Sequence, residues 1–314
     1  MERLRVGRPV SGALVAMAML AGCGGGSTGS VPTAMTPSIA RHATSSSGDL
    51  LYVARSKFET YRFPELRQDQ KFAVVHGDVD AGSNLSSGDV CFAASLTMDV
   101  YHHGTGQPFE ELRPFGTRDS FFTDCAFDPT TDNIAASISS YDHQPLLEVF
   151  SSSSNGVSYS DPNMQEAGFV AYDASGNVFV DGYQTRTSGW LLDELPKGGG
   201  ALIELSLSKQ ISPLLSLEWD GTYMTVMDFT TIYRLSVSGS TATVVGETLL
   251  KHVERGHVNT SFEIANGTVI GIAHNYKEKG PSIALWHYPE GGEPYKHVKT
   301  RDVAAFALSV APTH

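Results

Sequence analysis

The chain has 314 residues, with 34 acidic and 22 basic side chains and 31 glycines. At 41% hydrophobic and 18% charged residues it can bury a core and is not disordered as a whole. A net charge of −12 argues against nucleic acid or an anionic membrane surface as the main partner, and three cysteines are too few for a disulfide scaffold.

The N-terminus reads as an address. Arg3, Arg5 and Arg8 form a basic start, closed by Pro9, and residues 10–21 are an uncharged, largely apolar run. A basic region before a short apolar region is the pattern of a secretory signal peptide. Spanning a bilayer takes about 20 apolar residues, so this run is too short for a comfortable transmembrane helix. It ends in Leu20-Ala21-Gly22-Cys23. These four residues resemble the lipobox of bacterial lipoproteins. The resemblance implies removal of residues 1–22, lipidation of Cys23 and attachment to a membrane through that lipid. Several acyl chains on one residue give stable anchoring. Gly24 follows, not the Asp that in enteric bacteria tends to retain lipoproteins at the inner membrane. The expected location is therefore the bacterial cell envelope, at the outer membrane or cell surface.

Processing takes away Glu2 and the three arginines, leaving 33 acidic and 19 basic residues and a net charge of −14. Residues 23–47 are rich in Gly, Ser, Thr and Pro, which bury too little apolar surface to offset the entropy of ordering. They read as a lipid-anchored flexible linker.

From residue 48 the chain repeats. The unit is a short apolar strand, a tight turn with Asp, Asn or Gly, and a second apolar strand. Its clearest copies are residues 167–183, 214–229 and 260–274, with a looser one at 125–137. Two more begin at the turn, at residues 47–54 and 87–94. Aligning the turn residue gives Gly48, Gly88, Asp132, Gly176, Gly221 and Gly267, with spacings of 40, 44, 44, 45 and 46. Gly and Asn suit such turns because they tolerate positive φ. Further strand-like runs follow each turn pair, for example residues 98–101, 146–150, 231–235 and 283–288. Alternating apolar, β-branched and aromatic residues point to strands throughout.

Four-stranded units of about 40–45 residues are the mark of a β-propeller blade. The expected fold is all-β, a six-bladed β-propeller over residues 48–314. The pattern apolar-x-apolar-Asp-x-x-Gly, best kept over residues 170–180, resembles six-bladed propellers of the NHL-repeat and TolB-like kind. The first unit lacks the apolar strand that precedes the turn elsewhere, whereas residues 304–311 supply a spare one. That strand is expected to pair beside residues 50–54 and close the ring, which protects sheet edges.

Cys91 and Cys125 fall on adjacent units. In an oxidising compartment they can form a disulfide or stay as two buried thiols. Neither has a neighbouring His, and Asp124 disfavours a thiolate at Cys125, which speaks against a catalytic thiol.

Propeller ligands usually bind at one end of the central channel, where the innermost strands begin. Asn84, Asp124, Glu166, Ser212 and Asn259 lie near those starts. Calcium-dependent lactonases of the senescence-marker and paraoxonase type hold a metal there on Glu, Asn and Asp oxygens. Asn84, Asp124, Glu166 and Asn259 are chemically compatible with Ca²⁺, although the motifs of those enzymes do not match residue by residue. The plainer reading is strand-end residues satisfying backbone groups. His102, His103, His252 and His257 sit near loops or blade edges without zinc-ligand spacing. No G-x-S-x-G, Walker loop or dinucleotide fingerprint is present.

The sequence thus points first to a non-enzymatic, envelope-anchored propeller that binds a protein or a glycan. The alternative is a Ca²⁺-dependent lactonase- or esterase-like hydrolase with its metal in the channel.

Overall fold

The computed structural model describes residues 48–54, 58–72, 79–84, 86–94, 96–114, 120–140, 147–151, 154–184, 189–253, 261–274, 280–300, 303 and 305–311. Cys23 and the four-residue run that resembles a lipobox, the expected linker, Asn259 and His257 lie outside them. The described residues are strands and turns with no helix.

Six antiparallel sheets form the blades of a propeller. The first blade holds β1 (Leu50–Ala54), β2 (Glu59–Arg62) and β3 (Arg67–Lys71). The second holds β4 (Val79–Ser83), β5 (Val90–Ala94), β6 (Thr97–Tyr101) and β7 (Glu110–Leu112). The third holds β8 (Ser120–Phe127), β9 (Ile134–Ser140), β10 (Leu147–Ser151) and β11 (Ser154–Tyr159). The fourth holds β12 (Glu166–Tyr172), β13 (Val178–Gln184), β14 (Gly189–Leu195) and β15 (Ile203–Glu204). The fifth holds β16 (Ser206–Leu207), β17 (Leu217–Trp219), β18 (Met224–Met227), β19 (Thr231–Ser238) and β20 (Thr241–Leu249). The sixth holds β21 (Glu263–Ala265), β22 (Thr268–His274), β23 (Pro281–His287) and β24 (Gly291–Lys299), and β25 (Ala305–Ser309) returns to the first. The fifth blade departs from the four-strand plan, because two-residue β16 adds to β20 in parallel.

Five of the six turn residues aligned by the repeat share one backbone state. Gly88, Gly176, Gly221 and Gly267 have φ of 80°, 87°, 95° and 70°. Asp132, which stands where the others have glycine, has φ 60°. Asp is among the few side chains that tolerate this left-handed region. The 44-residue rhythm is thus a rhythm of left-handed turns. Several of these turns reach neighbouring blades. Tyr288 Oη–H donates to Asp220 Oδ2 at 2.6 Å, and Asn84 Nδ2–H to Asp132 Oδ1 at 3.1 Å.

Successive strand residues face opposite sides, and here each side meets a different blade. In β1, Leu50, Tyr52 and Ala54 pack with Phe58, Phe92 and Tyr101 against the second blade. Leu51 and Val53 pack with Ile270, Ile283 and Leu285 of the sixth. Every interface between neighbouring blades has such an apolar cluster. The core is therefore six radial seams, with fully buried second strands such as β5 and β9 and an exposed outer strand such as β3. Burying one large apolar side chain in a seam contributes roughly 1.5–3 kcal/mol.

The ring closes between the chain ends. β25 pairs antiparallel with β1 from Leu50↔Ser309 to Ala54↔Ala305. Phe306 and Leu308 enter the seam with the sixth blade, and Ala305 and Ala307 the seam with the second. Ser309 Oγ bonds the Gly88 carbonyl and His103 Nδ1, while Ala311 N–H donates to Asp49 Oδ1 at 2.9 Å. Cys91 of β5 is disulfide-bonded to Cys125 of β8, with Cα atoms 6.3 Å apart, inside the seam between the second and third blades.

Candidate functional site

The innermost strands are β25, β4, β8, β12, β17 and β21, each lying against the next around the axis. Such a strand bonds its own blade on one edge only. Its other edge leaves N–H and C=O groups toward the channel, and buried backbone groups need partners.

The preceding blade supplies them through side chains. Val170 N–H donates to Asp124 Oδ2 at 2.8 Å, and Leu308 N–H to Glu263 Oε2 at 2.7 Å. Phe262 N–H donates to Ser216 Oγ at 3.4 Å. On the acceptor side, the Gly168 carbonyl takes hydroxyl hydrogens from Thr123 at 3.0 Å and Ser137 at 2.6 Å. These contacts step once around the ring, 45 or 46 residues apart for the three N–H donors, which is the length of one repeat.

The result is an acidic lining: Asp80 on β4, Asp124 on β8, Asp181 on β13, Glu218 on β17 and Glu263 on β21. Asp80, Asp124, Asp181 and Glu263 are buried, and Glu218 is partly exposed. Burial is the main cause that raises all five carboxyls above the usual range. Asp80 and Glu263 are pushed up to about 7. Mutual repulsion adds to this, from Asp80 on Asp124 and Asp181, and from Glu263 on Glu218. No lysine or arginine is among the groups that set the charge of any of them. Asp181 Oδ2 and Glu263 Oε1 have no hydrogen-bond partner.

Of the residues singled out in the sequence, Asp124 belongs to this lining. Asn84 is buried but committed to its turn: its Oδ1 accepts from Ser86 N–H at 3.0 Å, Ser86 Oγ–H at 2.7 Å and Ser87 N–H at 3.2 Å. Its Nδ2 is the donor to Asp132 already described. Glu166 and Ser212 are exposed. Among the described residues, no three His, Cys, Asp or Glu side chains stand at metal-ligand spacing. The described histidines serve elsewhere. His102 pairs with Asp89 at 2.9 Å and stacks on Phe109, His252 pairs with Glu293 at 2.8 Å, and His287 stacks on Tyr295.

Asp80, Asp181, Glu218 and Glu263 belong to no sequence motif, yet part of the pattern is in the repeat. Asp80, Asp124 and Gly168 each precede their turn residue by eight positions. At the third, the carboxylate comes from Asp181 of the next strand, whose Oδ1 accepts the Phe169 N–H at 2.7 Å.

Compared with protein-family models and with curated proteins, the chain matches none.

Proposed function

We propose that this chain is an envelope-anchored propeller lipoprotein that binds a partner at the acidic end of its channel. The lipobox and linker of the sequence support the anchored half of this reading. The carboxylates of the channel, without a basic side chain among them, support the binding half. Between a protein and a glycan, they favour a protein that presents lysine. A lysine carries its charge on a long, thin stem that can reach recessed carboxylates.

The test is a titration of the mature chain with a fluorescent lysine-rich peptide, followed by anisotropy near pH 8, above the value of about 7 to which Asp80 and Glu263 are pushed. Binding is expected to weaken with salt and to fall at least tenfold in D80N/E218Q/E263Q. Equal binding by wild type and triple variant would remove the channel from the reading. The anchor is tested apart from it, by moving C23S from the membrane to the soluble fraction.

The Ca²⁺-dependent hydrolase remains as a second reading, favoured by the place of Asp124 in the lining. It predicts lactone hydrolysis that chelators abolish.

A further inference from the structure

The seam between the fourth and fifth blades opens beside their turns into a cavity of about 500 Å³. One wall follows from strand register. Ala171 stands opposite Phe179, Phe179 opposite Glu194, and Glu194 opposite Ile203, so these four form a row across β12, β13, β14 and β15. Residues directly opposite share a face of the sheet. Ala171 and Phe179 pack in the apolar seam with Tyr233, Leu235 and Val237 of the fifth blade. Glu194 is thus the polar member of a row that faces that blade. Its neighbour Asp193 faces the other way and is 0% exposed.

The other walls come from turns and from the crossing between the blades. Pro196 follows β14, Val237 stands near the end of β19, and Gly239 and Ser240 form the tip between β19 and β20. β15 lies on the outer edge of the fourth blade and β16 on the outer edge of the fifth, with Leu205 alone between them. Leu205 N–H donates to the Leu192 carbonyl at 2.9 Å, and Ser206 N–H to the Ser240 carbonyl at 2.8 Å. The two-residue β16, which breaks the four-strand plan, therefore ties the outer strands of the two blades together beside the cavity.

The polar groups of the cavity differ in what they have left to offer. Asp173 is committed to its turn: Oδ1 accepts from Ser175 N–H at 2.8 Å and Asn177 N–H at 2.9 Å, and Oδ2 from Asn177 Nδ2–H at 2.8 Å. Asn177 Oδ1 in turn accepts the Lys197 N–H at 2.9 Å. The Lys197 ammonium points away, to Thr130 Oγ1 of the third blade at 3.0 Å. Glu194 is half-buried, and among the described residues its carboxylate has no hydrogen bond or ion pair. The cavity thus presents one unanswered carboxylate within walls of Phe179, Pro196, Ile203 and Val237. Cavities of roughly 300–1,000 Å³ with apolar walls and a few placed polar groups suit small molecules. An ammonium answers the carboxylate with a charge-assisted hydrogen bond, and an apolar body covers the walls. We propose that this cavity binds a small organic amine, its ammonium on Glu194 and its apolar body against Phe179, Ile203 and Val237. The site is separate from the carboxylates of the channel and does not rest on them.

The experiment titrates the mature chain with phenethylamine at about pH 7.5, where the amine is charged, and reads binding by calorimetry. Melting curves confirm that each variant folds. One amine per chain and a Kd of about 1 mM or tighter are expected. E194Q keeps the shape of the side chain, removes its charge and should weaken binding about tenfold or more. V237R places a cation at the wall and should abolish binding. Phenethyl alcohol, the same body without a charge, should not compete. D80N/E218Q/E263Q should bind the amine as wild type does, which separates this site from the channel. Absence of amine binding by the wild type would overturn the proposal. Equal binding by E194Q and wild type would overturn it as well, and so would binding kept in E194Q but lost in the channel variant.

Discussion

Asp181 occupies the space that a side chain at residue 168 would fill. A Cβ built on Gly168 would stand 2.5 Å from Asp181 Oδ1. That oxygen holds the Phe169 N–H at 2.7 Å, beside the register shift of β12 against β13 between Ala167 and Val170. The missing side chain and the inserted carboxylate are therefore one device. G168A should push Asp181 off its donor and cost about 1–3 kcal/mol, the usual range for overpacking. G168A/D181A should recover part of that loss, because neighbouring substitutions are not additive. Urea midpoints of the two single variants and the double variant measure the coupling, and strictly additive losses would contradict the pairing.

The channel carboxyls set the direction of the pH dependence. Their folded-state values are raised, so between about pH 4 and pH 7 the folded chain holds protons that the unfolded chain has released. Stability is therefore greatest on the acid side and declines as pH rises through about 7, with Asp193 extending the decline to about 8. Each group contributes at most about 1.4 kcal/mol per pH unit within its window. Urea midpoints at pH 5, 6, 7 and 8 should fall in that order, and D80N should flatten the slope. A midpoint that rises from pH 5 to 8 would show that other groups dominate.

Removing residues 305–314 takes away β25 and leaves the channel-side edge of β1 unpaired. It also opens the seams that Ala305, Phe306, Ala307 and Leu308 fill, all of them 2% exposed or less. The truncated chain is expected to lose its cooperative melting transition rather than fray locally. F306A keeps the strand and isolates one seam, at an expected cost of about 3–5 kcal/mol. An unchanged melt of the truncated chain would mean that the ring stands without its closure.

The architecture was legible because its turns need a left-handed residue, and only a few residue types meet that need. Even unit 3 obeys, with Asp132 at φ 60°. The closure strand was legible for a similar reason, since one unit lacked a strand that the C-terminus carried. The channel was harder to read. Asn84 has the residue type of a ligand, but short polar side chains at turns usually bond their own backbone, and Asn84 does so. Glu218 and Glu263 precede their turn residues by three and four positions, not eight. Asp181 comes from a second strand, into the space beside Gly168 that only the structure reveals. Asp193 and Glu204 meet through a strand register that local spacing does not encode.

The Cys91–Cys125 bond joins the second strand of one blade to the innermost strand of the next, 34 residues apart. It therefore crosses a seam rather than stiffening one sheet. Closing a loop of that length stabilises the fold by about 3–4 kcal/mol through the entropy of the unfolded chain. Both cysteines are buried among Met98, Phe122 and Ile138, so dithiothreitol should reduce the bond slowly until urea opens the seam. C91A/C125A should lower the urea midpoint by a corresponding amount while keeping the native circular dichroism spectrum, because the apolar seam remains. Thiol titration of the denatured mature chain gives a direct check. On the proposed lipidation of Cys23 through its sulfur, no free thiol is expected before reduction and two after it.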